Sequence, residues 1–154
     1  MKTRKKRLLT MALTAMLMGA CSAHTGKAFT FQVETGDRIK IELDTSGGDY
    51  DLSQEDGHFA VEKGKDTVLN GVFLTEKRYE EFTEVKNATN VNMLEERIEG
   101  NSYMFYEVDG EAGIEHDFLI WVKDSHTGVL LGSLAGKEEA KAAFERLEIS
   151  VDEE

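Results

Sequence analysis

The sequence predicts an α+β fold: an α/β/α sandwich with a central antiparallel sheet, an N-terminal hairpin, one mid-chain helix and a C-terminal amphipathic helix. Three observations predict it. Apolar residues alternate with polar ones over much of the chain, as in strands with one buried face. Two segments place apolar residues three or four positions apart, as amphipathic helices do. The run from Phe118 to Val122 is apolar throughout, which indicates a central strand covered on both sides.

From Phe29 to Leu74 the chain is predicted to consist of β-strands and turns. A hairpin is indicated by two alternating series separated by Thr35, Gly36 and Asp37, which favour a turn. Its apolar residues are Phe29, Phe31, Val33, Ile39, Ile41 and Leu43. Two further strands are predicted at 57–61 and 68–74, each preceded by turn-forming residues.

Two helices follow from the change in periodicity. In the segment 76–86, Tyr79, Phe82 and Val85 lie three residues apart among charged residues, which predicts a short amphipathic helix. The segment 136–147 places one apolar stripe on a C-terminal helix and begins with acidic residues, as the helix dipole favours. That stripe consists of Ala140, Ala143, Phe144 and Leu147.

A four-stranded antiparallel meander is predicted between the helices. Its strands lie near 91–98, 103–108, 114–122 and 129–134. Asp109 and Gly110 are predicted to form a two-residue turn, because Asp-Gly tolerates the positive φ that such turns require. After the last helix, Ile149 and Val151 indicate a short edge strand, followed by an acidic tail at 152–154.

The charge of the chain is unevenly distributed. The 154 residues include 18 Lys and Arg against 30 Asp and Glu, a formal net charge of −12. All five charged residues among the first twenty are basic, so the remainder carries −17. This acidity argues against a nucleic-acid-binding protein, which needs clustered basic residues to contact phosphates.

The N-terminal leader points to export. Basic residues at 2–7 precede an uncharged apolar run at 8–20, which at 13 residues is too short to span a bilayer of roughly 20 helical residues. The run ends in Met18-Gly19-Ala20, immediately before Cys21, which is the single cysteine of the chain. A lone cysteine is commonly a small buried residue, but this position favours a modification site.

This leader resembles the lipobox of bacterial lipoproteins. The resemblance implies that Cys21 carries lipid, that a signal peptide at 1–20 is removed, and that the protein is anchored to a membrane. We therefore expect it on the outer face of the cell membrane, or in the periplasm or at the outer membrane. The rest of the chain then divides into a lipidated tether at 21–28, one globular domain at 29–151 and the acidic tail.

The order of elements in the domain resembles the Mog1/PsbP-type α/β/α sandwich. The residues that carry this likeness are Val68–Phe73 followed by Tyr79–Phe82, and Phe118–Val122 followed by Val129–Leu134 and the C-terminal helical stripe. The likeness covers about residues 29–151. It implies that the domain is a binding or assembly module, although a fold does not fix a function.

Few residues suggest chemistry. No histidine pair has metal-ligand spacing. In Glu115-His116-Asp117, strand alternation would direct His116 away from its two acidic neighbours. The acidic segment 44–56, interpreted as a loop, offers weak Ca²⁺ candidates but is better explained as a solvated loop, since its central position has Asp where an EF-hand requires Gly. The Ca²⁺ candidates are Asp44, Asp49, Asp51 and Glu55.

The functional prediction is therefore a non-enzymatic, lipid-anchored binding or assembly module without a cofactor. Its acidic surface suits a cationic protein or peptide partner. Tyr106 and Trp121 are the candidate ligand-contact residues. Tyr103 and Phe105 alternate with Met104 and Tyr106 on a predicted strand, so one set can face a groove, although packing in the core is the commoner role of such side chains. The alternatives are an envelope-associated hydrolase, or an inhibitor of a basic cell-wall enzyme that presents the 44–56 loop.

Overall fold

Two antiparallel β-sheets make up most of the protein. The computed structural model describes residues 25–153, of which 55% are in strands and 16% in helices. In chain order the strands are β1 (Gly26–Gln32), β2 (Arg38–Asp44), β3 (Tyr50–Glu55), β4 (His58–Lys63), β5 (Asp66–Leu74), β6 (Val91–Arg97), β7 (Ser102–Gly110), β8 (Gly113–Trp121), β9 (Gly128–Ser133) and β10 (Leu147–Val151). The helices are α1 (Glu76–Thr83), which continues into a 3-10 helix (Glu84–Asn87), and α2 (Lys137–Phe144).

The two sheets form a sandwich. The smaller sheet has the order β1-β2-β10, and the larger has the order β3-β4-β5-β9-β8-β7-β6, with every pairing antiparallel. The β1–β2 hairpin and the four-stranded meander therefore occur as predicted. The run from Phe118 to Val122 also lies inside the larger sheet, in β8 and the residue after it.

The predicted α/β/α sandwich is wrong. The layer that covers one face of the larger sheet is mainly the three-stranded sheet, and the two α-helices of residues 25–153 have eight residues each. On β2, Ile39, Ile41 and Leu43 are fully buried, while the residues between them are partly exposed. A hairpin with so apolar a face must cover other apolar surface. The three-stranded sheet that contains this hairpin covers the face of the larger sheet on which the prediction placed helices.

The main core lies between the two sheets, on what we call the packed face of the larger sheet. Phe105 and Phe118 stack with ring centroids 4.2 Å apart, and Phe144 of α2 stacks on Phe118 at 4.1 Å. A second aromatic group joins Phe31 of β1 to Phe73 of β5 at 5.0 Å. The packed face is therefore covered by the smaller sheet together with α2.

Polar contacts close the sandwich at its edges. Lys27 of β1 pairs with Asp51 of β3 at 2.9 Å. At the other edge, the Asn101 side chain donates a hydrogen bond to the Ile149 carbonyl of β10 at 2.7 Å and accepts one from the Lys123 amide at 2.8 Å. These contacts join strands of one sheet to strands or loops of the other.

The opposite surface of the larger sheet, which we call the α1 face, has a smaller cluster. Leu74, Met104, Tyr106 and Leu119 are buried there, and Tyr79 and Phe82 of α1 pack against them. Helix α1 begins at a Thr75 cap, whose hydroxyl accepts a hydrogen bond from the Arg78 amide. None of its residues is fully buried.

Three segment boundaries differ from the prediction. The tether was expected to extend to residue 28, but β1 begins at Gly26. The segment predicted as one acidic loop includes β3, which runs from Tyr50 to Glu55, because Leu52 is buried in the core. The acidic tail begins with Asp152, whose amide donates to the Arg38 carbonyl and whose carboxylate pairs with the same residue.

The turn between β7 and β8 is also displaced. Gly110 pairs with Gly113, so the turn consists of residues 111 and 112 rather than Asp109 and Gly110. The observed register places Phe105 opposite Phe118. Burial of that aromatic pair stabilises the hairpin more than a preferred turn sequence can, which explains the shift.

Candidate functional site

The α1 face is divided into two halves. Over one half lies α1, where the Tyr79 ring is 4.9 Å from the Trp121 ring. A Cβ atom added to Gly128 would lie 2.8 Å from Tyr79, so the glycine allows the helix to approach the sheet closely. This half is packed.

The other half presents a row of small residues across the sheet. Directly paired residues of adjacent strands direct their side chains to the same face. The pairing connects Ser53 to Ala60, Ala60 to Asn70, Asn70 to Gly132, and Gly132 to Asp117. The middle of this row therefore has little side-chain bulk, and its last member is a carboxylate.

Carboxylates surround that row. We define the acidic patch as the part of the α1 face formed by Ser53, Glu55, Ala60, Glu62, Asn70, Glu115, Asp117 and Gly132. Alternation also directs Asp51 of the edge strand β3 to this side of the sheet, but its carboxylate pairs with Lys27 of β1 at the edge of the sandwich and is therefore not part of the acidic patch. The side chains that β3, β4, β5, β8 and β9 direct to this face include no Lys or Arg. The patch is therefore strongly negative.

A cavity of about 400 Å³ lies over one end of the acidic patch. Its lining includes Ser53, Ala60, Glu62 and Asn70. The Ser53 hydroxyl donates to Glu62 Oε1 at 3.3 Å. Asn70 is exposed, so its amide is available to a molecule in the cavity.

The other end of the patch is a pair of carboxylates over Gly132. A Cβ atom built on Gly132 would lie 2.8 Å from Glu115 Oε1 and 3.4 Å from Asp117 Oδ1. Both oxygens therefore occupy the space above this glycine. Glu115 and Asp117 are two residues apart on β8, so their side chains leave the strand on the same face.

Asp117 is in an unusual environment for a carboxyl group. It is 9% exposed, and its Oδ1 atom has no hydrogen-bond partner within the described residues. Burial, then repulsion from Glu115 and a hydrogen bond to the Glu115 carboxylate, raise the pKa of Asp117 to about 7, although a hydrogen bond from Tyr106 opposes this increase. The same burial raises the pKa of the Tyr106 hydroxyl. The pair therefore holds a proton near neutral pH, and once that proton is lost Asp117 Oδ1 has no hydrogen-bond donor among residues 25–153.

A larger groove lies on the other side of the molecule, between α2, β10 and the β6–β7 edge. Its cavity volume is about 490 Å³. Glu95 accepts hydrogen bonds there from the Tyr103 hydroxyl at 2.7 Å and from Lys141 at 3.1 Å. These contacts link β6 to α2 and compensate the charge of the carboxylate, so the groove has no comparable excess of one charge sign.

The two aromatic candidates do not form a common ligand site. Tyr106 is 1% exposed and lies in the core beneath the α1 face, beside Asp117. Trp121 is half-buried against Tyr79, at the opposite end of β8 from Glu115. Tyr106 therefore affects the site through Asp117, and Trp121 holds α1. Cys21 and the leader lie outside the described residues.

The Ca²⁺ candidates are not brought together either. Asp44 ends β2, where its carboxylate accepts a hydrogen bond from the Ser46 amide at 2.9 Å, and Asp49 lies in the following turn. Asp51 pairs with Lys27, and Glu55 is four residues further along the same strand, about 13 Å away. In residues 25–153, no group of three or more His, Cys, Asp or Glu side chains is arranged to hold a metal ion.

The sequence interpretation placed His116 correctly but missed the carboxylate pair. His116 is buried on the packed face, where its ring nitrogens contact Glu107 Oε1 at 3.2 Å and the Ala135 carbonyl at 3.1 Å. The same alternation puts Glu115 and Asp117 together on the α1 face. The sequence signal for the pair was that Glu115 and Asp117, two residues apart, immediately precede the apolar run of a predicted strand. Their contact with Gly132 could not be predicted, because it depends on the β8–β9 register.

No known protein-family model matches the chain, and no curated protein sequence matches it. Among residues 25–153, no helix has the length and apolar character needed to cross a membrane.

Proposed function

We propose that this protein is a lipid-anchored binding module that acts outside the cytoplasm and holds a cationic protein or peptide on the acidic patch. The observation that carries the proposal is the patch itself: an open area of sheet with several carboxylates and no Lys or Arg from the strands that form it. Complementary charge favours encounter with a positive partner and sets its orientation. From the sequence we could infer only a net negative charge. We assign the binding of a cationic partner to this patch.

The anchor is the lipid on Cys21. Two or three acyl chains, at about 0.8 kcal/mol per buried methylene, would hold the protein on a membrane essentially permanently, whereas one chain would bind marginally. The charge of −17 carried by residues 21–154 opposes adhesion to anionic headgroups, so attachment depends on the lipid rather than on the surface.

Attachment is tested by expressing the Cys21→Ser protein in a bacterial host with labelled fatty acid. We expect the label to be lost and the protein to leave the membrane fraction. Ser22→Ala is the matched control, because it changes the adjacent hydroxyl residue and keeps the thiol. Membrane fractionation and labelling that persist in Cys21→Ser would exclude the lipid anchor.

Binding is tested with end-blocked tetralysine at low ionic strength, followed by backbone NMR. We expect the largest shifts at Ala60, Asn70 and Gly132, and we expect the shifts to disappear as salt screens the charges. End-blocked tetraglutamate is the control peptide and should produce no shifts there. Shifts spread evenly over all exposed carboxylates, or absent from the patch, would refute it as the binding surface.

A second candidate function, an envelope-associated hydrolase, is favoured by one observation. Asp117 has a pKa of about 7, which suits a general acid or base near neutral pH. This candidate predicts that the purified protein releases soluble fragments from cell-wall material and that Asp117→Asn abolishes the release. Equal release by both proteins, or release by neither, would exclude it.

A further inference from the structure

We propose that Glu115 and Asp117 form an anchor for one Lys or Arg side chain of the partner, whose cationic group lies over Gly132 between the two carboxylates. This inference deepens the proposed function and depends on it, because it assigns the strongest contact within the acidic patch. The anchor is a defined site, whereas the rest of the patch supplies charge.

The first argument is geometric. The Cα atoms of residues two apart on a strand are about 7 Å from each other. Oxygens of Glu115 and Asp117 nevertheless both lie above the Gly132 Cα position, 2.8 and 3.4 Å from where a Cβ would be. The missing side chain lets both carboxylates converge over this glycine, so that one donor group placed above them could contact both acids.

The second argument is the unsatisfied acceptor. When both acids are ionised, Asp117 Oδ1 is buried without a hydrogen-bond donor in the described part of the chain, because its hydrogen bond with Glu115 exists only while the pair holds a proton. A buried acceptor without a donor is rare and unfavourable. The oxygen is directed toward Gly132 and therefore toward the open row of small residues. A positively charged donor from outside would satisfy it with a charge-assisted hydrogen bond.

The groups that face Asp117 make the site favour a positively charged ligand. Tyr106 contributes a hydroxyl from β7, Glu115 contributes a second carboxylate from the same strand, and Gly132 contributes no side chain from β9. Among residues 25–153 no cation pairs with either carboxylate, so burial and repulsion keep a proton on the pair near neutral pH. An incoming ammonium or guanidinium group would displace that proton, and binding should therefore strengthen as pH rises.

The donor set favours an organic cation over a metal ion. Two carboxylates and a tyrosine hydroxyl supply fewer oxygens than the six to eight that Ca²⁺ takes. A Lys or Arg side chain needs only acceptors, and its aliphatic part can lie along the neighbouring row at Asn70 and Ala60, where side chains are small or exposed.

The experiment is calorimetric titration of the purified protein with end-blocked tetralysine and tetra-arginine, and separately with CaCl2. Glu115→Gln and Asp117→Asn each remove one carboxylate charge of the pair. Glu111→Gln is the matched control, because it removes one exposed carboxylate charge at the tip of the same β7–β8 hairpin. Gly132→Ala fills the space above the glycine without a change in charge.

We expect the two pair variants and Gly132→Ala to weaken peptide binding at least about tenfold, a loss of about 1.4 kcal/mol. We expect Glu111→Gln to weaken it less than about twofold, and the original protein to bind more tightly near pH 8 than near pH 6. Circular dichroism checks that each variant is folded. Asp117→Asn keeps the shape of the protonated acid, so this variant should fold.

Two results would overturn the anchor. One is equal binding by the pair variants and by Glu111→Gln, which would show that only general charge matters. The other is tighter binding of Ca²⁺ than of either peptide at the pair, which would make it a metal site. If the peptide shifts still map to the acidic patch while the pair variants bind normally, the proposed function stands and only the anchor fails.

Discussion

Replacement of Asp117 by Asn should make the folded protein more stable near pH 8 and leave it almost unchanged near pH 4. The carboxyl group has an ordinary pKa of 3.8 when unfolded and about 7 in the folded protein. Between these values the folded state holds the proton more tightly than the unfolded state. The stability that this group contributes is therefore fully present below pH 3.8 and is lost as pH rises toward 7.

The size of the effect follows from the same two values. A difference of about three pH units, at 1.36 kcal/mol per unit, amounts to about 4 kcal/mol at most above pH 7. Asn is neutral at every pH and resembles the protonated acid in shape, so the variant does not lose this stability. Its free energy of unfolding should exceed that of the original protein by up to this amount near pH 8.

Urea denaturation followed by far-UV circular dichroism measures the difference between the two proteins at each pH. Acids with a lowered pKa, such as Asp37 and Glu107, also make the stability depend on pH, since their contribution falls at acid pH. Both proteins contain these acids, so their contributions cancel in the difference. Glu111→Gln provides the baseline for loss of one exposed charge. A difference that is the same near pH 5 and near pH 8 would show that Asp117 ionises normally and would refute the reasoning.

Two further predictions test how the sandwich is held together. Gly71→Ala should lower the free energy of unfolding by about 1–3 kcal/mol, because its methyl group would overlap the Phe59 ring, whereas the methyl group of Gly26→Ala would make only ordinary contacts at 3.5 Å and this variant should be nearly neutral in the same urea measurement. Burial tends to raise the pKa of Asp37, but hydrogen bonds from the Thr127 hydroxyl and the His126 amide outweigh it and hold that pKa below its ordinary value. Asp37→Asn should therefore destabilise the protein by about 1–3 kcal/mol near neutral pH and by less as pH falls through the lowered pKa; thermal unfolding that shows a constant difference would contradict this account.

The strands were largely predictable from the sequence because alternation is a local property. Ile39, Ile41 and Leu43 indicate a half-buried strand whatever the rest of the chain does. The division into two sheets was not predictable in this way. It depends on Ile149 pairing with Ile41, across more than one hundred intervening residues, and no local pattern encodes that choice.

The candidate site was predictable only in part, for the same reason. Strand periodicity indicates that Glu115 and Asp117 share a face and that His116 does not. It does not indicate that Asp117 is paired with Gly132 of β9 on one side and with Tyr106 of β7 on the other. Both contacts are set by the hairpin registers, and the β7–β8 register differs from the one that the preferred turn residues suggested.

Trp121 gives this protein an internal probe of partial opening. It is the single tryptophan of the chain, and its ring contacts Tyr79 of α1 rather than the main core. Helix α1 has two turns and no fully buried residue, so it is expected to detach by local unfolding at lower free energy than the sheets separate. Tryptophan emission would then report the detachment of α1, while amide hydrogen exchange in β8 and β9 reports global unfolding.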